Sequence, residues 1–339
     1  SHDLEFQGEY TCDTQTPWSG CVILKDNVMV EGGTIYEPTF ISGDSPAITV
    51  FQNAAGVHGR NSNITIKGVR IIGRQTKTDG GVRQSISLGN CVDCAAIGNS
   101  LVGVASIAIQ FGGTSHEGHH ALRGVVTGNT IIGAAAAHVA IVNASGMHVW
   151  NNTVLKPGRP NGPGGVSCVD IETNSTDDWA ENIWIYNNLC DYTEAAFSGV
   201  GSAIMAQHRG GRSGGLYVVN NQALGSLPLA GLTSGIFFTG AFPNGTVANN
   251  TVIRSGQPCV QAYGARTTTF TDNFFSNCGG GGLPAVLFQG GGENIWKRSP
   301  IRYDEKIGGS ASFEILSVDS TGNQFDVETV IRAAGQKKQ

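Results

Sequence analysis

The chain has 339 residues, 49 of them glycine, 8 cysteine and only 3 methionine, and its charged fraction is 14%, against roughly 25% for an ordinary soluble domain. With 40% hydrophobic residues and a formal net charge of −5, it is too apolar and too weakly charged to be a disordered chain. Its 21 Lys and Arg form no cluster longer than Lys337-Lys338, which excludes the electrostatic footprint of a nucleic-acid binder, and no run approaches the roughly 18 apolar residues of a membrane span.

Taken in chain order, residues 1–30 read as an amino-terminal cap closed by a loop between Cys12 and Cys21. Ser1-His2 lacks the charged and then apolar start of an export signal, so the chain reads as a mature form. The cysteines Cys12, Cys21, Cys91, Cys94, Cys168, Cys190, Cys259 and Cys278 are even in number and fall into close sequence pairs, which points to disulfides and a secreted protein. Cys91 and Cys94 have no second pair at zinc-ligand spacing, so a 91–94 disulfide is expected beside 12–21.

From residue 31 to 292 one phrase recurs, apolar alternation followed by Asn and another apolar pair. It appears as AAIGNSLVG around Asn99, VVTGNTIIG around Asn129, HVWNNTVLK around Asn152, WIYNNLCDY around Asn188, YVVNNQALG around Asn221, TVANNTVIR around Asn250 and TFTDNFFSN around Asn273. SNITIKGVRIIG reads as an earlier copy with Gly68 in the Asn place. The intervals between successive Asn are 30, 23, 36, 33, 29 and 23 residues, one turn of a coil with variable loops. A half-apolar strand cannot bury its face alone, whereas stacked copies form a continuous core. The Asn then stands at a bend between strands, where amides can bond from coil to coil, and Gly and Asn supply the left-handed backbone such bends need.

A second column lies between these phrases: AITVFQ from Ala47, SISLGN from Ser85, IAIQFG from Ile107, VAIVNA from Val139, CVDIET from Cys168, AIMAQH from Ala203, GIFFTG from Gly235, CVQAYG from Cys259 and AVLFQG from Ala285. Laid in register, the inward positions are Ile48/Val50, Ile86/Leu88, Ile107/Ile109, Val139/Ile141, Val169/Ile171, Ile204/Ala206, Ile236/Phe238, Val260/Ala262 and Val286/Phe288, all apolar. This alternation predicts an all-β fold, a parallel single-stranded solenoid of about ten coils. Residues 293–339 leave the pattern and read as a carboxy-terminal cap or tail, in which Val327, Val330 and Ile331 at helical spacing predict a short helix.

On these repeats, and on the opening VILKDNVMVEGG followed by SNITIKGVRIIG, the chain resembles the right-handed parallel β-helices of the pectate-lyase-like superfamily over residues 20–290. The resemblance implies the architecture and a polysaccharide or oligosaccharide partner. Trimers occur among similar coils, so a monomer and a homotrimer both stay open. It implies no site residues. The Asn-Thr-Asp, Asp-Asp and Gly-His-Gly pattern of polygalacturonases is missing, with Asn174-Ser-Thr-Asp-Asp178 a partial likeness, and the calcium and arginine pattern of pectate lyases is not found.

The register that defines the core also defines the surface. One outward row reads Thr49, Ser87, Ala108, Ala140, Asp170, Met205, Phe237, Gln261, Leu287, and the next reads Phe51, Gly89, Gln110, Val142, Glu172, Gln207, Thr239, Tyr263, Gln289. Only the middle coil carries acids, Asp170 and Glu172. Two carboxyls about 7 Å apart along one strand suit acid/base chemistry on a sugar bond, because repulsion raises one pKa while the other stays ionised as nucleophile or base. The following loop adds His208, Arg209 and Arg212. No cofactor is required by this reading. The alternative use of the acids is a Ca²⁺ site from Asp170, Glu172, Asp177 and Asp178.

On the Asn-bearing strands Trp150, Trp184, Tyr186 and Tyr217 are expected to face outward, and with Gln110, Gln207, Arg212 and Tyr263 they are the expected sugar contacts. The rings and the acids are expected to border one turn. The loop from Leu155 to Cys168, with Lys156 and Arg159, is expected to wall a cleft. SHEGHH, with His116, His119 and His120, lacks the flanking ligands of a metal site apart from Glu117. The reading that follows is an extracellular or periplasmic glycoside hydrolase with Asp170, Glu172, His208 and Arg209 at its centre. The alternatives are a Ca²⁺-dependent polysaccharide lyase, with Arg209 or Arg212 as base, and a non-catalytic glycan-binding module.

Overall fold

The computed structural model describes residues 2–5, 7–12, 21–37, 46–50, 60–73, 84–104, 106–113, 120–134, 136–157, 166–194, 201–225, 234–279, 283–302 and 315–326. Among these residues every regular element is a strand, and every strand pair is parallel. The strands form three long sheets, here called A, B and C, and the chain visits them in rotation. Val166–Thr173 lies in sheet C, Trp179–Tyr186 in sheet A and Leu189–Asp191 in sheet B, after which Gly201–His208 returns to sheet C beside Val166–Thr173. The result is a right-handed parallel β-helix. Strands of all three sheets also lie within the two terminal stretches: His2–Glu5 starts sheet A and Gln324–Phe325 ends it. The expected helix at 327–331 falls outside the described residues.

The core is the column foreseen from the alternation. Ile48, Val50, Ile86, Val139, Ile141, Val169, Ile171, Ile204, Ile236 and Val260 are all buried in one cluster. One register differs. Ile109, not Ile107, pairs with Ile86 and Val139, and Phe111 pairs with Ile141. Ile107 packs with Ala137 and Ala140 apart from the main core, while Ala108, Ile109 and Phe111 join it. The strand therefore turns two consecutive residues, 108 and 109, inward. The shift moves Gln110 out of the row of Glu172 and into that of Asp170, and Gly112 takes its former place.

The corners between sheets A and B carry the amide ladder. Asn129 Nδ2 donates to Asn152 Oδ1 at 2.9 Å, Asn152 to Asn188 at 2.9 Å, Asn188 to Asn221 at 2.9 Å and Asn221 to Asn250 at 3.0 Å. Each ladder Asn follows a left-handed residue, as with Asn187 before Asn188 and Gly128 before Asn129. Two residues thus share the corner, one making the turn and one making the ladder. Gly68 accordingly fills the turning position, and Val69 stands in the Asn place, donating its backbone N–H to Asn99 Oδ1 at 2.9 Å.

All eight cysteines are paired, as 12–21, 91–94, 168–190 and 259–278. The last two pairs join sheet C to the sheet B strand that follows it in the same coil or the corner beyond it, across the interior.

Candidate functional site

Asp170 and Glu172 both project from the outer face of sheet C, as alternation about the buried Val169 and Ile171 requires. The outer face is not uniform. On the amino-terminal side Thr49, Ser87, Gln110 and Ala140 are buried, whereas from Asp170 onward Met205, Phe237 and Leu287 in one row, and Glu172, Gln207, Thr239 and Tyr263 in the other, are only partly covered. The face opens at the acids and remains partly open toward the carboxy terminus, except at Gln261, which is buried.

Asp170 is flanked by Ala140 on the preceding coil and Met205 on the next. Neither offers it a strong donor, and its Oδ1 is sealed from solvent without a hydrogen-bond partner. Burial, and secondarily the charge on Glu172, pushes its pKa up to about 8; the Gln207 amide and the Arg209 charge pull the other way without offsetting this. Burial thus biases Asp170 toward its protonated form.

Glu172 has the opposite surroundings. Gln207 donates Nε2 to its Oε1 at 2.9 Å, and Asn174 donates Nδ2 to its Oε2 at 3.3 Å. N–H donors aimed at both oxygens complement an anionic carboxylate. One strand thus presents, two residues apart, a carboxyl that burial biases toward its protonated form and a carboxyl held by two amide donors.

The remaining expected site residues divide. Arg209 lies beside the pair and donates to Gln207 and Asn174. His208 falls on the other side of its strand, with its ring edge-on to Phe242 and its Nε2 at 3.2 Å from the Gly211 carbonyl, away from the acids. Gln110 is buried and gives its amide to the Gly112 carbonyl at 3.1 Å. Tyr263 is on the open face three coils from Glu172, edge-on to Phe237 at 5.8 Å, and Phe237 was not among the expected contacts.

The calcium set does not assemble. Asp178 is fully buried and its Oδ2 accepts the backbone N–H groups of Asn174 and Ser175, at 2.6 and 2.9 Å, holding the turn that leads out of sheet C. Asp177 is exposed on that turn. Among the described residues no three His, Cys, Asp or Glu gather as a metal site. His116, His119 and Arg159 lie outside those residues.

The rings at 184 and 186 do not border the acids. They sit on sheet A beyond the left-handed Asn182. The ring nearest the shared turn is Trp179, which sequence reasoning missed. It is stacked on His120 at 3.9 Å, with the Arg212 guanidinium 4.5 Å from its centroid, and Arg212 pairs with Glu181 at 3.1 Å. Trp184 stacks on Tyr217 at 3.9 Å and lies parallel to His148 at 6.2 Å, while Trp150 stacks on Tyr186 at 5.5 Å. These faces are turned on one another along the coil axis, so the row presents mainly ring edges to solvent.

No protein-family model matches the chain, and no curated protein matches it. Solved structures match its fold. The tailspike protein of E. coli bacteriophage HK620 in complex with a pentasaccharide has a TM-score of 0.61 at 12% identity, over 95% of this chain and 59% of the tailspike chain. The mannuronan C-5 epimerase AlgE6 A-module of Azotobacter vinelandii has a TM-score of 0.55 at 12% identity, over 98% of this chain and 91% of its own. A double mutant of the periplasmic alginate epimerase AlgG has a TM-score of 0.57 at 8% identity, over 90% and 77%. This chain spans about three-fifths of the tailspike chains it is similar to.

Proposed function

We propose that the protein is an extracellular or periplasmic polysaccharide-cleaving hydrolase with Asp170 as general acid and Glu172 as its carboxylate partner. The observation that carries this is the contrast between the two groups: Asp170, with one oxygen sealed and unpaired, is pushed toward its protonated form, and Glu172 is held by two amide donors. In hydrolysis Asp170 gives its proton to the glycosidic oxygen as the C–O bond breaks, and Glu172 either takes a proton from the attacking water or attacks the anomeric carbon itself, the intermediate then being hydrolysed. The anomeric configuration of the product distinguishes the two routes. Phe237 and Tyr263, further along the open face, suit neighbouring sugars. A polysaccharide substrate is supported by the pentasaccharide complex and the alginate epimerases among the similar folds, and an oxidising compartment by the four cysteine pairs.

Elimination is less well served. Its two candidate bases are engaged, Arg209 with Gln207 and Asn174, and Arg212 with Glu181 and Trp179.

The test is a panel of polysaccharides incubated with purified protein, with new reducing ends and the ultraviolet absorbance of unsaturated uronides measured together. Reducing ends without absorbance are expected, with a pH profile falling above about 8, and loss of cleavage but not of glycan binding in Asp170→Asn and Glu172→Gln. Absorbance lost on chelation would establish the lyase instead, and binding without any product the glycan-binding module.

A further inference from the structure

The side chains of Glu172, Gln207, Arg209 and Asn174 close a ring of hydrogen bonds. The two oxygens of Glu172 accept from Gln207 Nε2 at 2.9 Å and Asn174 Nδ2 at 3.3 Å; the two amide oxygens in turn accept from Arg209, Nη2 to Gln207 Oε1 at 3.0 Å and Nη1 to Asn174 Oδ1 at 3.4 Å. The chemistry fixes the direction of every bond. A guanidinium has only donors and a carboxylate only acceptors, so each amide must turn its oxygen to Arg209 and its NH₂ to Glu172. If an amide rotated, its oxygen would face the carboxylate and its NH₂ the guanidinium, and two bonds would be lost at once.

Arg209 is itself fixed to the coil that carries the acids, because its backbone N–H donates to Thr173 O at 3.1 Å and Thr173 Oγ1 at 3.2 Å. Among the described residues its guanidinium has no ion-pair partner, and its hydrogen bonds go to the two amides, the closer to Gln207 at 3.0 Å. The other charged groups nearby are directed elsewhere. Asp178 holds the backbone of the turn, Asp177 points to solvent, and His208 bonds the Gly211 carbonyl. The preceding strand faces the acids with Ala140 and Val142 only.

We infer that Arg209 is the positioning residue of the acid pair. It acts through Gln207 and Asn174, so that both hand an N–H to Glu172, and it neither takes a proton nor holds the substrate. The inference rests on the hydrolase reading for its effect on catalysis, while the amide ring itself stands apart from that reading.

The experiment compares Arg209→Met and Arg209→Lys in the full chain. Arg209→Met keeps the apolar stem and removes both donors. It is expected to lower kcat about a hundredfold, as a displaced catalytic group does, with KM within about twofold. Arg209→Lys, with one ammonium for two amide oxygens, is expected to recover part of the loss. In both proteins the side-chain amide NMR signals of Gln207 and Asn174 are followed. They are expected to move and broaden in Arg209→Met at unchanged Tm, and to be partly retained in Arg209→Lys. A raised KM with kcat kept would make Arg209 a substrate-binding residue and overturn the inference. So would amide signals indifferent to Arg209→Met. If no polysaccharide is cleaved by the parent protein, the hydrolase reading fails while the amide signals still decide the ring.

Discussion

Ala140 stands directly across from Asp170 on the preceding coil, so that the acid faces a methyl group where a polar side chain would have solvated it. This pairing, with Met205 on the other side, leaves one carboxyl oxygen without a partner, and burial, with the charge on Glu172, raises the pKa to about 8. The folded protein therefore holds a proton on Asp170 that the unfolded chain releases near 3.8, and stability falls as pH rises between these values.

Asp170→Asn, which mimics the protonated acid, is expected to be more stable than the parent above pH 4. The gap should widen toward pH 8 to on the order of a few kcal/mol and level off beyond it. Thermal unfolding at a series of pH values measures this. A constant gap would mean that Asp170 ionises normally.

His138 titrates in the opposite sense. It is fully buried, with Nδ1 at 2.7 Å from the Ser167 carbonyl and Nε2 sealed without a partner, and burial pushes its pKa down to about 4. Between the ordinary value of 6.5 and 4 the unfolded chain takes up a proton that the folded chain refuses, so stability falls as pH falls through this window, by up to about 1.4 kcal/mol per unit. Urea unfolding between pH 7 and 4.5 should show a shallower decline in His138→Leu. An unchanged slope would assign the acid sensitivity to other groups.

Asn188 is the middle of the corner ladder. Its Oδ1 accepts from the backbone N–H and the side chain of Asn152, at 3.0 and 2.9 Å, and its Nδ2 donates to Val149 O at 3.0 Å and to Asn221 Oδ1. Asn188→Ala strands several buried polar groups at once, and a loss of about 2–4 kcal/mol is expected. Hydrogen exchange should show it as lost protection in the coils of Asn152 and Asn188. Protection equal to that of the parent would show that the ladder contributes little.

Trp184 is stacked between His148 and Tyr217. Trp184→Ala is expected to cost about 1–3 kcal/mol, since stacked pairs are worth about 0.5–1.5 each beyond burial. KM should stay within about twofold of the parent, because the ring faces are already occupied. A tenfold rise in KM would instead make this row a sugar-binding surface.

The repeated Asn and the apolar alternation were readable because they are local and recur in every coil: each copy meets the same neighbours, so one phrase predicts its own environment. The paired acids were readable for the same reason, as odd members of a regular row. IAIQFG was not, because apolar residues at 107, 108, 109 and 111 fit two registers, and only pairing with Ile86 and Val139 selects one. The 168–190 and 259–278 cysteine pairs bridge positions separated by most of a coil, and their sequence spacing does not single them out.

By itself the sequence determined that this chain winds into stacked parallel coils with Asp170 and Glu172 facing outward from the middle of one sheet, since alternation and repetition are properties of a single strand. The tertiary structure alone decided what those acids are. Asp170 is pushed toward its protonated form because Ala140 and Met205 arrive from other coils, and Glu172 is held by its near neighbour Asn174 together with Gln207 from the next coil. Burial and most of the hydrogen bonding are set by neighbours about a coil away in the chain, and those effects give the two carboxyls different surroundings.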